Sequence, residues 1–175
     1  MVVDALCAEP DPELESMLGS AAADLHQALR IRARRWAHDV APGLAWEATT
    51  FGAAAAAVHD HAGAVLLAAW DVPRLTAHLA DAAVSDLRAG CTVSFAPATD
   101  GRPFLVALPG PVADAFEAIP ERYENLPQAF AAAGGPIGLL PAERRLVTVA
   151  DARALLADPV APAELTDVLP RSLRL

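Results

Sequence analysis

The stretch that most constrains the fold runs from residue 64 to residue 108. AVLLAAW (64–70) is a compact apolar run of the length of a buried strand, well short of the ~18 consecutive apolar residues that span a bilayer. DVPRLTAHLADAAVSDLRAG (71–90) then reads as a helix. Asp71 is placed to cap it, Pro73 falls in its first turn, and Gly90 stops it after Arg88. Leu75, Leu79, Ala83 and Leu87 make an apolar stripe, which leaves His78, Asp81, Ser85 and Arg88 toward solvent. In TVSFAPATDGRPFLVAL (92–108), Val93 and Phe95 alternate with Thr92 and Ser94, and Asp100-Gly101 makes a tight turn. That pattern is a β-hairpin with one buried face and one wet face. Strand, helix and hairpin in this succession set an α+β fold.

The N-terminal 43 residues read as a helical arm. Asp11 caps, Pro12 takes the first helical position, and Glu13 and Glu15 suit the positive end of the dipole. Gly19-Ser20 divides the arm, with Ser20 recapping a second helix that Pro42-Gly43 ends. Leu14, Leu18, Leu25, Leu29, Trp36 and Val40 share one face, and Gln27, Arg30, Arg34 and His38 the other. Arg32 falls among the apolar positions, either snorkelling from the core's edge or pairing with an acid across a buried interface.

LAWEATTF (44–51) has the composition of a strand. The alanine run after it is ambiguous, because alanine is the best helix former and Gly63 suits a C-cap. Strand, turn, strand is preferred, with HDHAG as the turn. Residues 44–108 thus form an α+β core: a small, mainly antiparallel sheet of about five strands with a packed central helix. Residues 109–175 form a proline-rich, helical C-terminal extension packed on it, within one domain overall. In the extension, PGPVADAFEAIPERYENLPQAFAAAGGPIGLLP allows only short helices, AAGGPIGLLP is a connector, RLVTVADARALLADP reads as a short strand and a helix, and the tail as one more helical turn.

Charge narrows the function classes. A net charge of −9 repels a phosphate backbone or an anionic membrane, so neither nucleic acid nor membrane insertion is expected. All 13 basic residues are arginine, the mark of a GC-rich bacterial genome. RIRARR (30–35) holds four of them, whereas residues 1–29 carry six acids and no base. Such a dipolar N-terminus favours self-association or a protein partner. MVVDALCAEPDPE lacks the basic flank and apolar core of a signal peptide, and Cys7 and Cys91 build no disulfide framework, so a cytoplasmic setting is expected.

Motifs for chemistry are sparse. His59-x-His61 on a strand would point both rings to one side, the weak candidate for a metal pair, but no third ligand lies at metal spacing. No GxSxG elbow and no GxGxxG loop occurs, Cys91 enters a strand without a histidine partner, and no cofactor is expected. Glu47, Asp81 or Asp86, and Asp100 could converge on Mg²⁺.

GAAAAAVHDHAGAVLLAAW is similar to the first hairpin of ribonuclease H-like domains, and such hairpins also occur in roadblock-type domains. The ribonuclease H family's early catalytic aspartate has only Glu47 as a distant counterpart here. The order helix, two or three strands, helix, two strands, helix resembles the type III secretion chaperone-like fold. That resemblance implies a small acidic homodimer that holds extended client segments. The reading that follows is a non-enzymatic protein-binding adaptor, chaperone-like or assembly subunit. Its contact surface would use Arg30, Arg34, Arg35 and Trp36 on the helix, with Trp46 and Trp70 on the sheet. The alternative is a small enzyme or ligand-binding domain whose site is assembled from dispersed acids and histidines.

Overall fold

A computed structural model describes residues 2–3, 6–110 and 135–174. The fold is α+β. A six-stranded mixed sheet has the order β2-β1-β3-β5-β4-β6: β1 (Val2–Val3), β2 (Trp46–Glu47), β3 (Val65–Ala68), β4 (Val93–Pro97), β5 (Pro103–Leu108) and β6 (Ile137–Leu139). β3, β5 and β4 pair antiparallel at the centre, while β1 runs parallel to both β2 and β3, and β6 parallel to β4.

Every residue of β3, β4 and β5 is buried. This corrects the expectation of a wet hairpin face. Ser94, on the side read as wet, is buried and donates its hydroxyl to Asp86 Oδ2 at 2.6 Å. The hydrogen bond lets a polar side chain stay under the helix that covers it.

Six α-helices are described. α1 (Pro12–Leu18) and α2 (Ala21–Val40) form the divided arm, and the Asp11 carboxylate accepts from the Glu13 amide at α1's start. Ser20 makes no side-chain cap bond, and Gly19 turns the chain with φ +54°. Leu25, Leu29, Ala33, Trp36 and Ala37 are the buried face of α2. Arg32, half-buried, donates to Glu164 and to the Pro73 carbonyl, tying α2 to α6 (Ala163–Thr166).

α3 (Phe51–Ala57) occupies the alanine run, where strand was preferred. The Thr50 hydroxyl accepts from the Ala53 amide, and Ala54 and Val58 are buried, so helix propensity and a cap act together. LAWEATTF accordingly contributes only the two residues of β2.

α4 (Ala77–Arg88) starts from a Thr76 cap, five residues after the Asp71 start read from the sequence. Asp71 is buried and bonded elsewhere in the fold, and Pro73 precedes the helix. The stripe and the stop hold: Leu79 and Ala83 are buried, His78 is exposed, and Gly90 follows with φ +99°. α4 packs on β4, β5 and α2.

In the C-terminal part, GGPIGLL supplies β6, not a connector, and RLVTV is no strand but leads into α5 (Val149–Ala157). The tail forms α6 and a 3-10 turn over Arg171–Arg174. The proline-rich stretch 111–134 lies outside the described residues. β6 sits so close to α4 that a Cβ on Gly138 would stand 2.2 Å from Asp86 Oδ2 and 2.8 Å from Ser94 Oγ. Gly138→Ala must therefore displace the Ser94–Asp86 bond. Urea melts should show a loss of about 1–3 kcal/mol, and an unchanged midpoint would mean that the edge strand simply shifts outward.

Candidate functional site

In sheets with parallel strands, ligands bind where those strands end, because the loops diverge there and leave a crevice. β1 and β3 are such a pair. At their carboxyl ends lies a crevice of about 550 Å³ lined by Cys7, Glu9, Pro10, Asp11, Pro12, Arg102, Val147 and Thr148. The β1–α1 loop makes one wall, the β4–β5 hairpin supplies Arg102, and the approach to α5 closes the third side. This size falls within the ~300–1,000 Å³ of small-molecule sites.

Behind these walls lies a buried ion pair. Asp71, three residues past β3, is 2% exposed, as is Arg145. Arg145 Nη1 donates to both Asp71 oxygens at 3.0 and 2.8 Å, and Nη2 to the carbonyls of Leu6 and Pro103 at 2.9 and 2.7 Å. Asp71 Oδ2 also accepts from the Ala8 amide at 2.9 Å. One side-chain pair thus fixes the backbone beside Cys7, Glu9 and Arg102. Burial pushes the Asp71 carboxyl above its ordinary value, against the pull of Arg145 and the Ala8 amide. The Cys7 Sγ accepts from the Trp70 amide at 3.3 Å, which stitches the β1 loop to the end of β3.

The third wall is fixed by a capping box. Thr148 accepts from the Asp151 amide, while the Asp151 carboxylate takes the Val147 and Thr148 amides and the Thr148 hydroxyl. The box satisfies the Asp151 amide of α5's first turn and the two amides just before the helix. Asp11 N–H donates to the Val147 carbonyl at 2.9 Å and joins the first wall to the third.

A smaller hollow of about 190 Å³ lies between Pro73-Arg74, residues 143–146 and α5. Two ion pairs lie within it: Arg74 with Asp158 at 2.6 Å, and Arg144 with Asp151 at 3.0 Å. Burial raises Glu143 above its ordinary 4.5, with Asp158 adding to the rise and Arg74 opposing it. The folded state then holds the Glu143 proton more tightly than the unfolded chain, so stability falls as pH rises from that ordinary value through the raised one. Glu143→Gln should match the parent in urea melts at acid pH and exceed it at neutral pH. Equal midpoints at both would remove Glu143 from the pH dependence.

The residues singled out in the sequence are not brought together. Trp36 and Trp70 are buried at 6% and 7% exposure. Arg30 lies 4.8 Å over the Trp70 ring, Arg34 pairs with Glu47, and Arg35 is exposed. Trp46 is half-buried, with its ring 6.1 Å from that of His61, and His59 is exposed. Glu47, Asp81, Asp86 and Asp100 are dispersed, and no group of three metal-ligating side chains forms among the described residues. Asp71 and Arg145, 74 positions apart, carried no local sign of their pairing. The one available signal was an acid directly after an apolar strand.

No protein-family model and no curated protein matches the sequence. Among solved structures, the fold is similar to a proposed nucleotide-diphospho-sugar transferase from Desulfovibrio desulfuricans G20. The TM-score is 0.75 at 17% identity, covering 98% of this chain and 96% of that one. It is also similar to the Mycobacterium sp. strain JC1 homologue of the Mycobacterium tuberculosis protein Rv0371c. There the TM-score is 0.51 at 16% identity, covering 89% and 95%. The likeness is one of fold. It overturns the type III secretion chaperone-like resemblance, which rested on element order alone, and with it the non-enzymatic adaptor and chaperone reading. No helix among the described residues is long and apolar enough to cross a membrane.

Proposed function

We propose that this chain is a transferase-type enzyme that binds a nucleotide-diphospho-sugar in the crevice at the carboxyl ends of β1 and β3. The observation that carries the reading is the position of that crevice in a fold that matches such a transferase along almost the whole chain. Fold alone assigns no chemistry, so the residues must supply the rest. Arg102 is the cation among the described lining residues and meets the diphosphate. Glu9 and Asp11 make the opposite side acidic, which favours hydroxyl-rich ribose and sugar there over phosphate. With Cys7 and Cys91 as thiols, a cytoplasmic setting goes with the proposal.

The test is a melting series with uridine, guanosine, adenosine and cytidine diphosphates and their sugars. A ligand that binds only the folded state raises the midpoint as its concentration passes its Kd. Arg102→Ala should weaken the best ligand about tenfold or more, the loss of one charge-assisted hydrogen bond. A flat series at millimolar ligand sinks the reading.

A further inference from the structure

The hollow beside Pro73-Arg74 shares no lining residue with the crevice. Pro73, Leu146, Ala154 and Leu155 give it an apolar side. Its cations are all taken: Arg74 is held by Asp158, Arg144 by Asp151, and Arg145 by Asp71. Glu143 is the charge left over. Among the described residues its carboxylate accepts no hydrogen bond and has no cation at ion-pair distance.

This acid is nonetheless held in place. The Glu143 amide donates to the Pro97 carbonyl at 3.2 Å and its carbonyl accepts from the Thr99 amide at 3.0 Å, a bridge onto the end of β4. A half-buried carboxylate without a partner costs stability, because burial penalises its charge. Arg74, spent on Asp158, offsets only part of that penalty. Such an acid in a concave site is where a ligand of opposite charge gains most.

The charge balance selects the occupant. With the pairs counted, the hollow carries one unmatched negative charge, and an anion would have to break an existing pair to enter. A bare divalent ion needs several oxygens at once, whereas an ammonium can be held by one carboxylate. The volume of about 190 Å³ exceeds the ~150 Å³ of a cavity that takes up benzene. A ring or short chain therefore fits beside the charged group.

We infer that this hollow is a second small-molecule site, for a primary amine whose ammonium is held by Glu143 and whose apolar body lies against Pro73, Ala154 and Leu155. It stands whether or not the crevice binds a nucleotide sugar.

The test is benzylamine titrated into the full isotope-labelled chain and followed by amide NMR shifts, with benzyl alcohol and benzoate as probes of similar shape. Benzylamine should shift Leu146, Ala154 and Leu155 and saturate in the millimolar range expected of so small a ligand. Benzyl alcohol on the parent, and benzylamine on Glu143→Gln, should each bind about tenfold more weakly, the loss of one charge-assisted hydrogen bond. Glu143→Gln keeps the shape of the side chain and removes an unpaired charge, so the variant folds. Equal affinity in either comparison overturns the inference, as does tighter binding of benzoate. Shifts centred on Glu9, Asp11 and Thr148 would put the amine in the crevice and also overturn it.

Discussion

Arg145→Ala should cost this chain about 3–5 kcal/mol of stability, because it leaves Asp71 as an uncompensated charge in the interior. Asp71 is 2% exposed, and both its oxygens depend on Arg145. The Leu6 and Pro103 carbonyls lose their donor in the same step. Asp71→Ala should cost a similar amount by stranding the guanidinium. The double variant Asp71→Leu, Arg145→Met should lose much less than the two single losses together, since a neutral pair strands no charge. Urea denaturation followed by circular dichroism measures all three. Additive losses would mean that the pair is not a coupled unit. The pH dependence gives a second check. Without Arg145, burial is opposed only by the Ala8 amide and raises the Asp71 carboxyl further, so the Arg145→Ala deficit should shrink toward acid pH, where the aspartic acid is neutral.

This pair also marks where the sequence stops being legible. α1, α2, α4 and the β4–β5 hairpin could be read because their signals are local: Asp11-Pro12 at a helix start, a leucine stripe ending at Gly90, Asp100-Gly101 at a turn. Gly101 has φ +80° and the Asp100 carboxylate accepts from the Arg102 amide, as a tight turn requires. The alanine run misled because its propensity, its Thr50 cap and its flanking β-like residues pointed in different directions, and only the buried Ala54 and Val58 settle it. Asp71 misled for a stronger reason. An aspartate before Pro73 has the local chemistry of a helix cap, and a partner 74 residues away overrides it. The crevice inherits that illegibility, since its lining comes from three separate stretches around Cys7, Arg102 and Thr148. His59 and His61 were visible in the sequence because they stand one residue apart, yet they end up in the turn after α3, one exposed and one beside Trp46.

Trp70→Ala should destabilise the isolated chain by about 3–5 kcal/mol, the loss expected for a tryptophan in a core. The ring is 7% exposed, with the His26 ring edge-on at 5.4 Å and the Arg30 guanidinium 4.8 Å from its centroid. Arg30→Ala should remove only the cation–π share, about 0.5–1 kcal/mol at a partly exposed site. Trp70→Phe should fall between, keeping an aromatic face for Arg30 while leaving part of the indole volume empty. Protein concentration distinguishes a core role from a contact-surface role. A tryptophan that seals an interface between chains would lose its effect on dilution, whereas one packed under its own α2 costs the same at every concentration. The expected result is a concentration-independent loss. It should come with a weakened crevice, because the Trp70 amide holds Cys7 and its side chain anchors the strand end from which Asp71 projects. A Trp70→Ala variant that melted like the parent, with its mass alone changed by light scattering, would return Trp70 to the surface.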